Sequence, residues 1–294
     1  MDITGFRRGR ALLGFMTEQD AINFLKGNCV IESENELEVY RKKWASAAKL
    51  AGDLKLRILS PLVQGEISQG YLSYTKEVLT QELFKRTFGE NFALREVELE
   101  RVISFQRHID AEYSAELAAK MKTDDRFVLE SCLPTKFHQN LEVTFDQAVP
   151  GVTFSSPSPK LLLAGIEVIG VGGPEVSLGG QLVQQPGALF LVGTQPNYVQ
   201  VVEYRNRYFL KNGYHRAYAA LLSGRRHIPA VVSVAEDFVG IGAINPGFFQ
   251  RDLLMSDAPP LLPDFLNDGI AVDVKLRPMR KVVRARVDEF FVPR

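Results

Sequence analysis

Residues 198–234, YVQVVEYRNRYFLKNGYHRAYAALLSGRRHIPAVVSV, constrain the fold more than any other stretch, because the hydrophobic period changes twice within them. Val199, Val201 and Tyr204, then Tyr208 and Leu210, supply strand character on either side of a polar Arg205-Asn206-Arg207 turn. After Asn212-Gly213 the repeat lengthens. Tyr214, Ala217, Tyr218, Leu221 and Leu222 recur at three and four residues, which predicts a helix with one apolar stripe. Ser223-Gly224 ends it, and Ile228-Pro229-Ala230-Val231-Val232 resumes extended chain.

The chemistry concentrates at the strand-to-helix junction, Asn212-Gly213-Tyr214-His215-Arg216. Glycine there permits tight backbone geometry, and the unpaired N–H groups of a first helical turn favour an anion. Arg216 adds a rigid fork of donors suited to phosphate or carboxylate, and His215 can move a proton near neutral pH. The junction is therefore a candidate phosphate cradle. The competing reading is a capped helix whose Arg and His make structural hydrogen bonds.

The run FLKNGYHRAYAALLSGRRHIPAVV resembles the signature of the ParB/sulfiredoxin superfamily through Phe209, Gly213, His215, Arg216, Ala219, Gly224, Ile228, Pro229 and Val232. VELERVISFQ, from Val97 to Gln106, is similar to the opening strand and loop of that domain. The resemblance implies an α+β fold, with a small mixed-sheet core split by a long insertion, and a nucleotide or phosphoester site around residues 212–216. It also implies cofactor contacts from Asn212, Gly213, Tyr214 and Arg225, with Gln106, Arg107 and His108 approaching from the upstream loop. Sulfiredoxin-like chains carry Gly-Cys-His-Arg, and Tyr214 stands where their cysteine would be. The CTP-binding chromosome-partitioning branch carries Gly-Glu-Arg-Arg, whose acid is missing here. Free-serine kinases and nucleases also share the superfamily.

At 294 residues, 46% hydrophobic and 24% charged, the chain is long enough for one large domain or two modest ones. Its 35 basic residues balance 35 acidic ones, so any case for nucleic acid must be local. No apolar run approaches the roughly 20 residues of a membrane span, and the N-terminus lacks a secretory pattern. Cys29 and Cys132 suggest neither a disulfide framework nor a zinc site. These features together predict a cytoplasmic protein.

Residues 1–90 read as a helix-rich region, with helices predicted after Thr17, over 36–50 and over 76–88. Trp44 falls in the second helix's apolar stripe, as a core anchor rather than a base-stacking platform. Residues 91–240 form the predicted core, split by a β-rich insertion at about 125–197 that includes strands at 127–133, 141–145, 161–171, 176–183 and 188–192. Gly170-Val171-Gly172-Gly173 leads to Pro174 rather than a helix, so it is turn geometry, and His138 has no spaced ligand partner. Residues 241–294 are predicted to wrap the core, ending in a basic edge strand with Arg280, Lys281, Arg284 and Arg286. The acidity of Asp257, Asp264, Asp268 and Asp273 is expected to offset that strip within the fold. Exposed, the strip would face nucleic acid or an acidic partner.

Two functional readings follow. In the first, the chain binds a nucleotide or phosphate ester, with Mg²⁺ as a possible companion, and catalyses a phosphoryl-group reaction. His215 would then move the proton and Arg216 stabilise developing charge, with Arg225 or Arg226 as further phosphate contacts and Glu203 or Glu98 as the metal-holding acid. In the second, the chain is a noncatalytic protein-binding or assembly scaffold, favoured by the absent cysteine and acid.

Overall fold

The computed structural model describes residues 5–57, 65–136, 140–146, 151–157, 161–169, 175–178, 181–184, 187–194, 197–286 and 290–293. The expected turn at 170–173 and His138 lie outside them. The chain opens with β1 (Arg7–Ala11), α1 (Glu18–Asn28), α2 (Glu34–Gly52), α3 (Leu72–Thr80) and α4 (Glu82–Phe88). There follow β2 (Ala93–Glu98), β3 (Ile103–Ser104), β4 (His108–Asp110), α5 (Ala111–Met121) and α6 (Asp125–Cys132). Then come β5 (Glu142–Asp146), β6 (Gly151–Ser156), β7 (Leu161–Ile169), β8 (Glu175–Leu178), β9 (Gln181–Gln184) and β10 (Gly187–Thr194). The chain closes with β11 (Gln200–Tyr204), β12 (Arg207–Asn212), α7 (Tyr214–Leu222), β13 (His227–Val234), α8 (Phe238–Ile241), α9 (Arg251–Leu254), β14 (Val272–Leu276) and β15 (Lys281–Arg286). This is an α+β fold in two compact units: Met1–Thr135 with Asn197–Pro278, and Lys136–Pro196 with Met279–Arg294.

The first unit is built on a five-stranded mixed sheet, ordered β2-β13-β11-β12-β3. Arg205 and Asn206 both take positive φ, 52° and 58°, the geometry that lets a two-residue turn follow strand twist and close the β11–β12 hairpin. α7 then carries the chain across to β13, which runs parallel to β11. β2 pairs antiparallel with β13 and β3 parallel with β12, so residues 93–104 share a sheet with residues 200–234. The Pro-rich segment covers the open edge at β3. Ser104 N–H donates to Pro260 O at 3.0 Å, Leu262 N–H to Val102 O at 2.9 Å and Phe249 N–H to Phe105 O at 2.9 Å. An edge that would otherwise offer unpaired backbone groups is thereby satisfied.

The first ninety residues belong to this same unit rather than standing apart. β1 is the centre of a second sheet, β14-β1-β4. Thr17 and Ser33 cap α1 and α2 by accepting from Asp20 and Glu36 N–H, each at 3.2 Å. Trp44 anchors α2 by donating its indole N–H to Met16 O at 3.1 Å. The helix expected over 76–88 is two helices, because Gln81 is extended (ψ 125°) and donates its side-chain amide to Thr135 O at 2.9 Å. A larger difference falls at 127–133, where the sequence suggests a strand and the chain is helical. Asp124 caps α6 by accepting from Phe127 N–H at 2.9 Å, and the buried Val128, Leu129 and Cys132 fit helical as well as extended spacing.

In the second unit β5, β6 and β15 form a three-stranded antiparallel sheet, and β7–β10 and β8–β9 are hairpins. The C-terminal basic strand thus pairs with the insertion, not with the core as its sequence suggested. The acidic residues before it have other partners. Asp264 takes a two-pronged pair from Arg57 at 2.8 and 2.9 Å, while Asp268 and Asp273 lie 2.7 and 3.6 Å from Arg10.

Candidate functional site

The junction is built from strand register. β12 ends at Asn212, whose side-chain oxygen accepts from Gly213 N–H at 3.0 Å. Gly213 is left-handed (φ 95°, ψ 23°), and a Cβ there would lie 2.8 Å from Val199 Cγ2, so both conformation and space demand glycine. α7 starts at the next residue. The side chains that follow mostly turn inward.

Tyr214 is buried, edge-on to Phe105 with ring centroids 5.8 Å apart, and its hydroxyl donates to Leu210 O. Burial pushes its phenol well above the ordinary value. Its ring is a core element and offers no face to a base. Arg216 is also buried, and its guanidinium donates to Ser131 O at 2.8 Å, to Asn197 O, to Asn197 Oδ1 at 3.0 Å and to Tyr198 O at 3.4 Å. Ser131 precedes the insertion and Asn197 follows it. Arg216 therefore ties together the two strands of chain that bound residues 136–196, and Val199 N–H to Cys132 O at 2.8 Å closes the same stem. With no carboxylate among these partners, burial lowers the Arg216 pKa, and the carbonyl at the C-terminal turn of α6 compensates the cation.

Arg225 donates to Met121 O at 2.7 and 2.9 Å and to Asp125 at 2.5 Å, capping α5. Arg226 makes a two-pronged pair with Glu100 at 2.8 and 2.5 Å. Gln106 bridges to Phe248 through its backbone, and Arg107 lies 5.9 Å from the Phe249 ring centroid with its Nε buried and unpartnered. The proposed acids are not brought to the turn. Glu203 pairs in register with Tyr208 at the hairpin-turn end of β12, opposite the end that leads to Gly213. Glu98 lies on β2, three strands from β12 or roughly 14 Å by strand spacing, and is paired with Arg101 at 3.3 Å.

Two junction groups remain unengaged: Asn212 Nδ2 is buried without a partner, and the His215 ring makes no hydrogen bond among the described residues and sits edge-on to Tyr113 at 5.6 Å. Beside it lie His108, whose Nδ1 is buried without a partner, and Asp110, which accepts from Arg7 at 2.9 Å and from Tyr113 N–H at 2.8 Å. Burial lowers both imidazoles to about 4. At His108 the neighbouring His215 adds to the effect and Asp110 opposes it; at His215 Asp110 opposes burial most, and Arg216 and then Arg7 add to the lowering. Both are neutral at pH 7. Asp110 and Arg7 carried no sequence signal beyond the alternation of His108-Ile109-Asp110. Burial likewise raises the thiols of Cys29 to about 12 and Cys132 to about 11, too high for either to act as a nucleophile at neutral pH.

Among the described residues no three His, Cys, Asp or Glu side chains converge as metal ligands, and no helix is long and apolar enough to cross a membrane. Comparison with protein-family models, with curated proteins and with solved structures finds no match.

Proposed function

We propose that the chain is a noncatalytic protein-binding or assembly scaffold, a divergent ParB/sulfiredoxin-like core whose phosphate-site arginine has been redeployed to hold an inserted partner-binding unit. The observation that carries this reading is the position of Arg216. Its donors engage main-chain acceptors on both sides of the insertion, so the fork that would grip a phosphate fastens the stem instead. The hairpin–helix–strand order and the pairing of β2 with β13 support the family resemblance. The engaged Arg216, the packed Tyr214 ring and the remote Glu203 and Glu98 weigh against phosphoryl chemistry at the junction.

The inserted unit supplies a surface of suitable character. Register places Val143, Phe145, Val152, Phe154, Val283 and Ala285 on one face of the β5–β6–β15 sheet. Val143 is 45% and Phe145 77% exposed. The other four are half-buried, so the open part of this face lies along the edge strand β5, and adjacent exposed apolar side chains there mark an interaction site more readily than scattered ones do.

The test has two arms. Purified protein is incubated with nucleotides and phosphate esters, with and without Mg²⁺ or Mn²⁺, and scored by product mass and by hydrogen exchange at residues 212–218. Neither product nor nucleotide-dependent protection is expected there, and either one overturns the scaffold reading. In parallel, wild type and Phe145→Asp capture proteins from extract at matched concentration. A protein retained by wild type and lost with the variant is expected, and identical recoveries move the working surface elsewhere.

A further inference from the structure

The first unit contains a groove of about 480 Å³ that takes no part in the scaffold reading. One wall is α2, which contributes Lys42, Lys43, Ser46 and Leu50, and the other is the turn and strand from Asp268 to Asp273. Its volume lies within the range of small-molecule sites, roughly 300–1,000 Å³.

The charges in it are sorted by wall. Lys42 and Lys43 are exposed, and neither makes an ion pair among the described residues. Opposite them, Asp268 and Asp273 are drawn toward Arg10, which stands opposite Asp273 in the β1–β14 register. Arg10 is largely buried, with 14% of its side chain exposed, while the two carboxylates are 90% and 63% exposed. Each carboxylate is thus engaged on its inner side by Arg10, with acceptor capacity left on its outer side. Arg10 also keeps donors that its contacts leave unsatisfied, because Nε and Nη2 are buried with no partner. With Arg10 already facing the two carboxylates, the unpaired Lys42 and Lys43 favour a net negative ligand, and the exposed sides of Asp268 and Asp273 favour hydrogen-bond donors at its other end.

We propose that this groove binds a small phosphomonoester bearing hydroxyl groups. Lys42 and Lys43 take the phosphate dianion, Asp268 and Asp273 accept from the hydroxyls, and Leu50 and Val272 pack against the carbon skeleton. Two adjacent ammonium groups match a dianion better than they match a single carboxylate. The turn comes so close to α2 that a Cβ on Gly269 would lie 2.8 Å from Leu50 Cδ1, so the apolar side of the groove is shaped by that glycine.

Ribose 5-phosphate is the probe, titrated by calorimetry into the full chain, with inorganic phosphate and ribose as separate arms. Saturable binding of ribose 5-phosphate is expected, at least tenfold tighter than either arm alone, with hydrogen-exchange protection at residues 42–50 and 268–273. The Lys42→Ala/Lys43→Ala double variant should weaken it about tenfold while leaving the melting temperature within a degree or two, since both side chains are exposed, and Asp268→Asn should independently weaken it about tenfold. Absence of binding at millimolar probe overturns the proposal. So does binding unchanged in both variants, or inorganic phosphate binding as tightly as the sugar phosphate.

Discussion

The two units put strands to different uses. In the first, β13 is buried at five successive residues, Ile228 to Val232, and β12 at Tyr208, Phe209 and Leu210, so both faces of the sheet are covered. In the second, β15 alternates between exposed and half-buried positions, and β5 leaves Phe145 almost bare. A sheet covered on both sides fixes its strands and tolerates little change. A sheet covered on one side keeps an adhesive face. On the scaffold reading proposed above, the first unit holds and the second meets other molecules, and substitutions in the two should differ by several kcal/mol.

The largest effect is expected at Arg216. Arg216→Met removes a buried cation and leaves the carbonyls of Ser131, Asn197 and Tyr198 without their donor, a loss of about 3–5 kcal/mol by analogy with other buried charged hydrogen-bond networks. Urea denaturation should show a matching drop in midpoint, and Arg216→Lys should recover only a fraction, because an ammonium cannot span the same set of acceptors. A cost under 1 kcal/mol would mean that the stem is held by other contacts. Gly213→Ala comes next, at about 2–4 kcal/mol: it combines a side chain at φ 95° with a Cβ 2.8 Å from Val199 Cγ2. A variant melting like wild type would show that β11 can yield at Val199.

Much of the first unit was legible before any coordinates, for a definite reason. The break in period at Asn212-Gly213 is a local signal, and the dense apolar runs at 198–210 and 228–232 leave few alternatives for a central sheet. The orientation of Arg216 had no such signal. Its partners are main-chain carbonyls, which every residue carries, apart from the side-chain oxygen of Asn197, and a lone Asn after a turn does not mark an acceptor for a distant arginine. α6 was read as a strand because Phe127, Val128 and Leu129 are adjacent and apolar, whereas the Asp124 cap decides for helix. The pairing of β15 with β6 depends on which edge is free after folding. That is a property of the tertiary structure and not of the basic strip itself.

The histidines give a smaller, graded test of how tightly the first unit is sealed. His108 and His215 have folded pKa values lowered to about 4 against an unfolded value near 6.5. Between these limits the unfolded chain binds more protons than the folded one, so stability is fully present above about pH 6.5 and falls as pH drops toward 4. Each histidine contributes a slope approaching about 1.4 kcal/mol per pH unit in that window. Urea midpoints measured from pH 7 to pH 5 should fall accordingly, and His108→Gln with His215→Gln should flatten the profile. A flat profile in wild type would mean that water reaches both rings.

The smallest effect on stability is expected where the second unit is most open. Phe145 is 77% exposed on β5, and its register neighbour Val152 is only half-buried, so replacing the ring opens no cavity. Threonine, like phenylalanine, suits a pleated strand, so Phe145→Thr should change the unfolding free energy by less than about 0.5 kcal/mol in either direction. Its effect should appear in association instead, as weaker capture of partner and less self-association at high concentration in sedimentation velocity. A loss of 2 kcal/mol or more in the isolated chain would mean that the Phe145 face is covered within the molecule and contributes to its folding. The contrast between a holding unit and a meeting unit would then have to be redrawn around a different surface.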